Sequence, residues 1–267
     1  MRPPEDAAYI LGHSYTVPHF KFGEIDGAFV DRIWSTLRIG TAVVVSLFDT
    51  DALTKVFTRL GFQVKIHHNL TADNMKKEIN NLGSINFSDH DALVVFVLSH
   101  GEKGCVFGTD EERVLLKELT EPFTSGGART LARKPKLFFI QACQGDGKQK
   151  GYPPSSREDE NQNKEAWQAD ASIPDEAVLV PELADFLIGM ATVEEFVSFR
   201  NTATGSIYIQ ELCRQLEIGC PCSKEMDDIL TVLTRVNREI SKGVYSSHKQ
   251  MPQPKYTLTK KLILKYI

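Results

Sequence analysis

Cysteine is sparse. The five thiols, Cys105, Cys143, Cys213, Cys220 and Cys222, are odd in number and lack the spacing of a secreted disulfide framework. Long apolar runs are missing as well: none approaches the roughly 18–20 residues a bilayer-spanning helix requires, so no membrane association is expected. There is no lysine or arginine run, and a net charge of -4 gives nucleic acid no reason to bind. The opening MRPPEDAAYILGHSY does not follow a cationic stretch with an apolar one, as a secretory leader would. A reducing, cytoplasmic location is the expectation. Cys220-Pro221-Cys222 and His67-His68 have no second ligand pair at useful spacing, and no phosphate-binding glycine loop occurs. Neither a metal nor any other cofactor is expected.

What is present reads as an ordinary globular chain. At 42% hydrophobic and 25% charged, its 267 residues can bury a continuous core. Residues 1–40 show no steady period. The run TAVVVSLF (41–48) is β-branched and apolar, as a buried strand should be. Asp49 is then placed to cap a helix carrying Leu53, Val56, Phe57 and Leu60 on one face, with Gly61 as its stop. FQVKIHH predicts another strand. Thr71 caps a second helix with Met75, Ile79 and Leu82 in register, ended by Gly83. ALVVFVL (92–98) and LFFIQ (137–141) have no polar break and predict central strands covered on both faces. Between them lie a hairpin-like CVFGTDEERVLL and a short helix near 115–120.

Residues 146–182 are polar and dotted with Gly, Pro and Ser, as a linker is. Beyond them ADFLIGMATV (184–193) predicts a strand, two amphipathic helices follow near 206–216 and 227–241, and KYTLTKKLIL alternates like one further strand. The alternation of strands and helices indicates an α/β layered domain whose sheet is mostly parallel. The expected organisation is an irregular segment 1–40, a larger region 41–145, the linker 146–182 and a smaller region 183–267 of the same domain.

In such sheets chemistry collects at the carboxyl ends of strands. Ser99-His100-Gly101 and Gln141-Ala142-Cys143-Gln144-Gly145 both fall directly after the central strands. A thiol needs its proton removed to attack, and an imidazole can take that proton and later protonate a departing amine. Cys143 is therefore the candidate nucleophile and His100 its acid/base partner. Backbone N–H groups of Gly101 and Cys143 are the candidate oxyanion donors, and glycine at 101 lets the main chain come close to a substrate.

These motifs, together with VLSHG (97–101), KPKLFFIQACQG (134–145), IPDEA (173–177), VSFRN (197–201), YIQELC (208–213), DDILTVLTRVN (227–237) and QMPQP (250–254), carry a resemblance to the caspase family. QACQG is that family's known cysteine signature. The chain is most similar to its caspase-8 and caspase-10 initiator group. The resemblance implies a three-layer caspase-like fold and a cysteine endopeptidase cutting after aspartate in apoptotic or inflammatory signalling. It places Arg200 and Gln141 around the substrate aspartate, and Phe199 and Asn201 along neighbouring substrate positions. It further implies pairing into a homodimer, or a heterodimer with another caspase. Self-cleavage in the linker is expected at Asp170, with Asp159 as a second position.

The chain departs from the family at three points. The family carries an Arg-x-Gly-Thr segment after its first strand, which supplies a second pocket cation; here Arg38-Ile39-Gly40-Thr41 has the wrong spacing. Either an insertion follows Thr41, or VVVSLF is itself the first strand and the arginine loop is missing; the apolar pattern fits the latter better. Ile207 stands where the family has tryptophan, and VLVPEL lengthens the linker. The alternative reading is therefore a weak or silent caspase homologue that regulates an active caspase by dimerising with it. A peptidase selecting basic residues is disfavoured by Arg200, whose charge repels them.

Overall fold

The computed structural model describes residues 8–11, 40–46, 50–152, 180–201, 205–219 and 227–266, with backbone alone at 8–11 and 201. Within the N-terminal segment Ala8–Leu11 forms β1. The apolar run after Arg38 becomes β2, Gly40–Ser46. Helix α1 (Asp51–Arg59) starts only five residues after β2 ends, with Leu53, Val56 and Phe57 buried as their spacing predicts. Asp49, the expected cap, lies outside the described residues; Thr50 holds the cap position, and its side chain makes no capping hydrogen bond. The Thr50 carbonyl instead receives both the N–H and the hydroxyl of Thr54. Gly61, at φ 84, turns the chain into β3 (Phe62–His68). Helix α2 (Ala72–Gly83) opens on Thr71, whose side chain accepts from the Asn74 N–H as the sequence predicts.

β4 (Leu93–Leu98) leads through β5 (Gly101–Glu102) to a hairpin of β6 (Cys105–Phe107) and β7 (Arg113–Leu115), followed by α3 (Leu116–Thr120). β8 (Lys136–Gln141) and β9 (Phe186–Met190) follow. A small ribbon of β10 (Arg200–Asn201) and β11 (Gly205–Ser206) precedes α4 (Ile207–Gly219) and α5 (Ile229–Lys242). The last two strands are β12 (Gln253–Tyr256) and β13 (Lys261–Leu264).

Six strands form one sheet in the order β12-β9-β8-β4-β2-β3, parallel throughout except for β12, which runs antiparallel to β9. Strands from 41–145 and from 183–267 thus share a single sheet. The sheet divides two apolar layers by the period-2 alternation of its strands. Val94, Phe96 and Leu98 face α1, α4 and α5, while Leu93, Val95 and Val97 face α2 and the segment carrying Phe123. Every residue of β4 and β8 is buried, as continuous apolar runs require in a sheet covered on both sides. Phe96 stacks on Phe139 at 5.1 Å and meets Phe57 edge-on at 4.9 Å, tying two strands to α1.

The alternating C-terminal segment is two strands rather than the one expected. Between them Asp185 accepts from the N–H and hydroxyl of Thr259, and Thr257 exchanges backbone bonds with Asp185 and Phe186. These bonds turn the chain away from the sheet, and β13 pairs in parallel with β1 instead.

Candidate active site

Register places the two motifs. β4 and β8 are adjacent and parallel, with Leu98 opposite Gln141, and the Ser99 N–H donates to the Gln141 carbonyl at 3.0 Å. His100 and Cys143 each lie two residues beyond this last pair, so both leave the same edge of the sheet from neighbouring strands. His100 is exposed and Cys143 half-buried, so the sulfur is reachable. Cys105 and Cys213 are different: both are buried, and burial pushes their thiols up, that of Cys213 to about 12. Both stay protonated and inert.

The segment after β4 is pinned to β6. The Ser99 hydroxyl donates to the Phe107 carbonyl at 2.6 Å, and the Phe107 N–H donates to the His100 carbonyl at 3.0 Å. Gly101 is needed for space. A Cβ there would stand 2.5 Å from the Cys105 carbonyl oxygen, 3.0 Å from Ala142 Cβ and 3.2 Å from the Cys143 carbonyl oxygen. The main chain of the histidine segment therefore runs directly against that of Cys143.

The loop after Cys143 is held by a residue to which the sequence reading assigned no role. Gln144 is buried; its amide nitrogen donates to the Cys143 carbonyl at 2.9 Å, and its amide oxygen accepts from the Gly104 N–H at 3.2 Å. Its backbone N–H donates to the Phe196 carbonyl, and its carbonyl accepts from the Glu195 N–H at 2.7 Å. Gly145, at φ 145, passes so close to Glu195 that a Cβ would lie 2.6 Å from its carbonyl oxygen.

Gln141 is buried close to Cys143, and two serines bond its amide. Its Nε2 donates to Ser198 Oγ at 3.0 Å, while its Oε1 accepts from Ser206 Oγ at 2.5 Å. Ser206 also caps α4 by accepting from the Ile209 N–H at 3.1 Å. Cys143 Sγ lies 3.8 Å from both the hydroxyl and the carbonyl oxygen of Ser198. Neither serine was singled out from sequence. A lone hydroxyl in a turn has no periodicity, and only the position of Ser198 inside VSFRN pointed toward the site.

Arg200 is exposed and pairs across the β10–β11 ribbon with Ser206, which brings its strand to the Gln141 end of the site. Phe199 donates its N–H to Gln250 Oε1 at 2.8 Å, and its ring stacks on Tyr245 at 5.9 Å and His248 at 6.4 Å. Asn201 is described in its backbone, opposite Gly205. Asp159 and Asp170 lie outside the described residues, as does Arg38. The structure thus sets His100, Gly101, Gln141 and Cys143 at the same end of the β4–β8 pair, with Ser198 beside Gln141 and Cys143. Only Leu47–Thr50 connects β2 to α1, and none of these four residues is cationic. The apolar run enters the large sheet as β2, whose strand already includes Gly40 and Thr41. Among the described residues no group of three or more His, Cys, Asp or Glu side chains could hold a metal ion, and no helix is long and apolar enough to cross a membrane.

Comparison with known proteins agrees with this arrangement. The family model described as Caspase domain matches residues 44–263. Mouse caspase-8 is 40% identical over 216 residues, 80% of this chain and 44% of that protein. Human caspase-10 is 42% identical over 170 residues, 63% of this chain and 31% of that protein. The chain therefore spans less than half the length of these relatives. The crystal structure of caspase-1 from Spodoptera frugiperda superimposes with a TM-score of 0.72 at 31% identity, covering 86% of this chain and 90% of that one.

Proposed function

The chain belongs to the caspase family of cysteine peptidases, and from that premise we propose that it is an endopeptidase cutting after aspartate, with Cys143 as nucleophile. The observation that carries this reading is the register of β4 and β8, which delivers His100 and Cys143 to one rim. His100 takes the proton of the Cys143 thiol as sulfur attacks the scissile carbonyl carbon. The carbon–nitrogen bond breaks, the amine leaves with the proton held on His100, and a thioester remains. Water activated by the same imidazole then hydrolyses the thioester. The N–H groups of Gly101 and Cys143 bind the oxyanion. Arg200 and the Gln141 amide receive the aspartate side chain, since a buried carboxylate needs a cation and hydrogen bonds to offset its desolvation. Phe199 and Asn201 line the neighbouring substrate residues.

The protease acts in apoptotic or inflammatory signalling in the cytoplasm. It pairs through β12, which is bonded on one side to β9 and is the outermost strand of the sheet on that side. The partner is a second copy or another caspase. Cleavage after Asp170 or Asp159 breaks the chain between the regions 41–145 and 183–267. A second reading, a silent homologue that regulates an active caspase by dimerising with it, draws support from the missing cation between β2 and α1. A fluorogenic tetrapeptide ending in aspartate separates the two. The intact chain hydrolyses it and the Cys143→Ala variant does not; equal background rates would establish the silent partner.

A further inference from the structure

Gln144 follows Cys143 in the chain and is buried, and a buried amide is costly unless both of its ends are bonded. Both are. Its Nε2 donates to the Cys143 carbonyl at 2.9 Å, and its Oε1 accepts from the Gly104 N–H at 3.2 Å. Neither partner can exchange roles, because a carbonyl only accepts and a backbone N–H only donates. One orientation of the amide satisfies both, and it spans from the carbonyl of Cys143 to the turn between β5 and β6.

That turn is short. Glu102 pairs with Cys105, which leaves Lys103 and Gly104 at its tip, with Gly104 at φ 77. Gly101 begins the same hairpin, and a Cβ built on it would stand 2.5 Å from the Cys105 carbonyl oxygen and 3.2 Å from that of Cys143. Two acceptors thus crowd one side of Gly101. The Gln144 amide gives the Cys143 oxygen a donor and fastens the hairpin by its tip at the same time. Lys103 adds a second tie: its Nζ lies 3.4 Å from Glu195 Oε1 and 3.7 Å from Glu194 Oε2, and the Glu195 N–H donates to the Gln144 carbonyl. Those ion pairs are exposed and contribute little, so the buried amide is the stronger hold.

We propose that Gln144 is a positioning residue for the reaction: its side-chain amide fixes the main chain of Cys143 against the β5–β6 hairpin, and with it the place of Gly101 beside Cys143. This rests on the protease reading above. The two side-chain bonds of Gln144 go to main-chain groups and neither goes to the sulfur. Gln144 therefore acts through Cys143 and Gly101, on the rate of the bound complex rather than on binding of the peptide.

The test uses the fluorogenic tetrapeptide ending in aspartate, with the Cys143→Ala chain as blank. Gln144→Met keeps the length of the side chain and removes both bonds. It is expected to lower kcat about ten- to a hundredfold with KM held within about twofold. Gln144→Glu gives a readout that packing alone does not move. A protonated carboxyl can donate to the Cys143 carbonyl as the amide does, whereas a carboxylate sets a lone pair against it. Burial keeps the introduced carboxyl protonated to higher pH than usual, and Lys103 is already paired with Glu194 and Glu195. The ratio of variant to parent kcat is expected to fall at least about tenfold from about pH 5.5 to about pH 8, while that of Gln144→Met stays level. Urea denaturation of each variant in the Cys143→Ala background, at both pH values, reports whether the chain stays folded. Where Gln144→Met does not fold, Gln144→Glu decides alone. A Gln144→Met kcat equal to the parent's overturns the assignment, as does a Gln144→Glu ratio level with pH or one that falls because the fold is lost. A parent no faster than the blank removes the protease reading and this inference with it.

Discussion

Lys136 sits at the amino end of β8 with no exposed surface, at the opposite end of the strand from the site. Its Nζ donates to the carbonyls of Lys134 at 2.9 Å and Leu131 at 3.3 Å, and it lies 4.9 Å from the centre of the Phe186 ring. Burial pushes its pKa down from 10.5 to about 8, with the nearby Asp185 carboxylate opposing part of the fall. Between these two values the unfolded chain holds a proton that the folded chain has released. Stability therefore rises with pH across that window, and the charged amine exerts its full penalty below it. At about 1.4 kcal/mol per pH unit, the penalty at neutral pH is roughly 3 kcal/mol.

Lys136→Met removes both the penalty and the slope. It also takes a donor from the half-buried Lys134 carbonyl and one of two donors from the Leu131 carbonyl, which keeps the Lys134 N–H at 3.0 Å; the cost of about 1–3 kcal/mol offsets much of the gain at neutral pH. The pH slope is the clean signal. Urea denaturation in the Cys143→Ala background, which prevents self-cleavage, would be followed from about pH 7 to about pH 10. The parent should gain stability relative to the methionine variant by up to about 1.4 kcal/mol for each pH unit above 8. Parallel curves would show that the amine is not buried in charged form, and the packing of β8 against β9 at that end would have to be redrawn.

Two further substitutions test the site and its support separately. Gly101→Ala drives a Cβ to 2.5 Å from the Cys105 carbonyl oxygen and 3.2 Å from that of Cys143, so β5 must move relative to both. The expected loss is about a hundredfold in kcat/KM on the aspartate peptide, with stability lower by about 1–3 kcal/mol; an unchanged rate would contradict the close approach. Asp228→Ala removes the cap of α5, where the carboxylate accepts from the N–H groups of Leu230 at 3.0 Å and Thr231 at 3.3 Å. It should cost about 1 kcal/mol in the same urea experiment and leave kcat/KM as it was. An unaltered unfolding midpoint would mean the cap is idle.

The legible part of the fold is the part with a period. The buried runs of β4 and β8, the helical spacing of Leu53, Val56 and Phe57, and the Thr71 cap each appear where hydrophobic pattern and capping chemistry put them. The break between β12 and β13 was hidden because the alternation continues through it. What ends β12 is a set of hydrogen bonds to Asp185, some seventy residues away in the chain, and no local pattern encodes these. The site divides in the same way. His100, Cys143 and Gln141 sit in motifs at strand ends, whereas Gln144, Ser198 and Ser206 work through partners distant in sequence. Of the two readings of VVVSLF, the strand reading agrees with β2, which holds Gly40 and Thr41 themselves.

Gln144 and Ser198 show how one short ladder holds both Cys143 and the wall beside it. The segment after Cys143 runs beside the segment before Ser198: Gln144 N–H bonds Phe196, Glu195 N–H bonds Gln144, Gly147 N–H bonds Glu195 and Val197 N–H bonds Gly147. Moving either segment moves the other, so the sulfur and the Ser198 hydroxyl keep their spacing. Gln149 and Lys249 extend the same tether toward the turn that carries Tyr245 and His248. A cut after Asp159 or Asp170 severs none of these bonds. It also spares the pairing of β8 with β9, where Lys136 through Ile140 lie opposite Phe186 through Met190. The two regions would stay docked as one domain, and the contacts that hold Ser198 beside Cys143 do not require the linker to be cleaved.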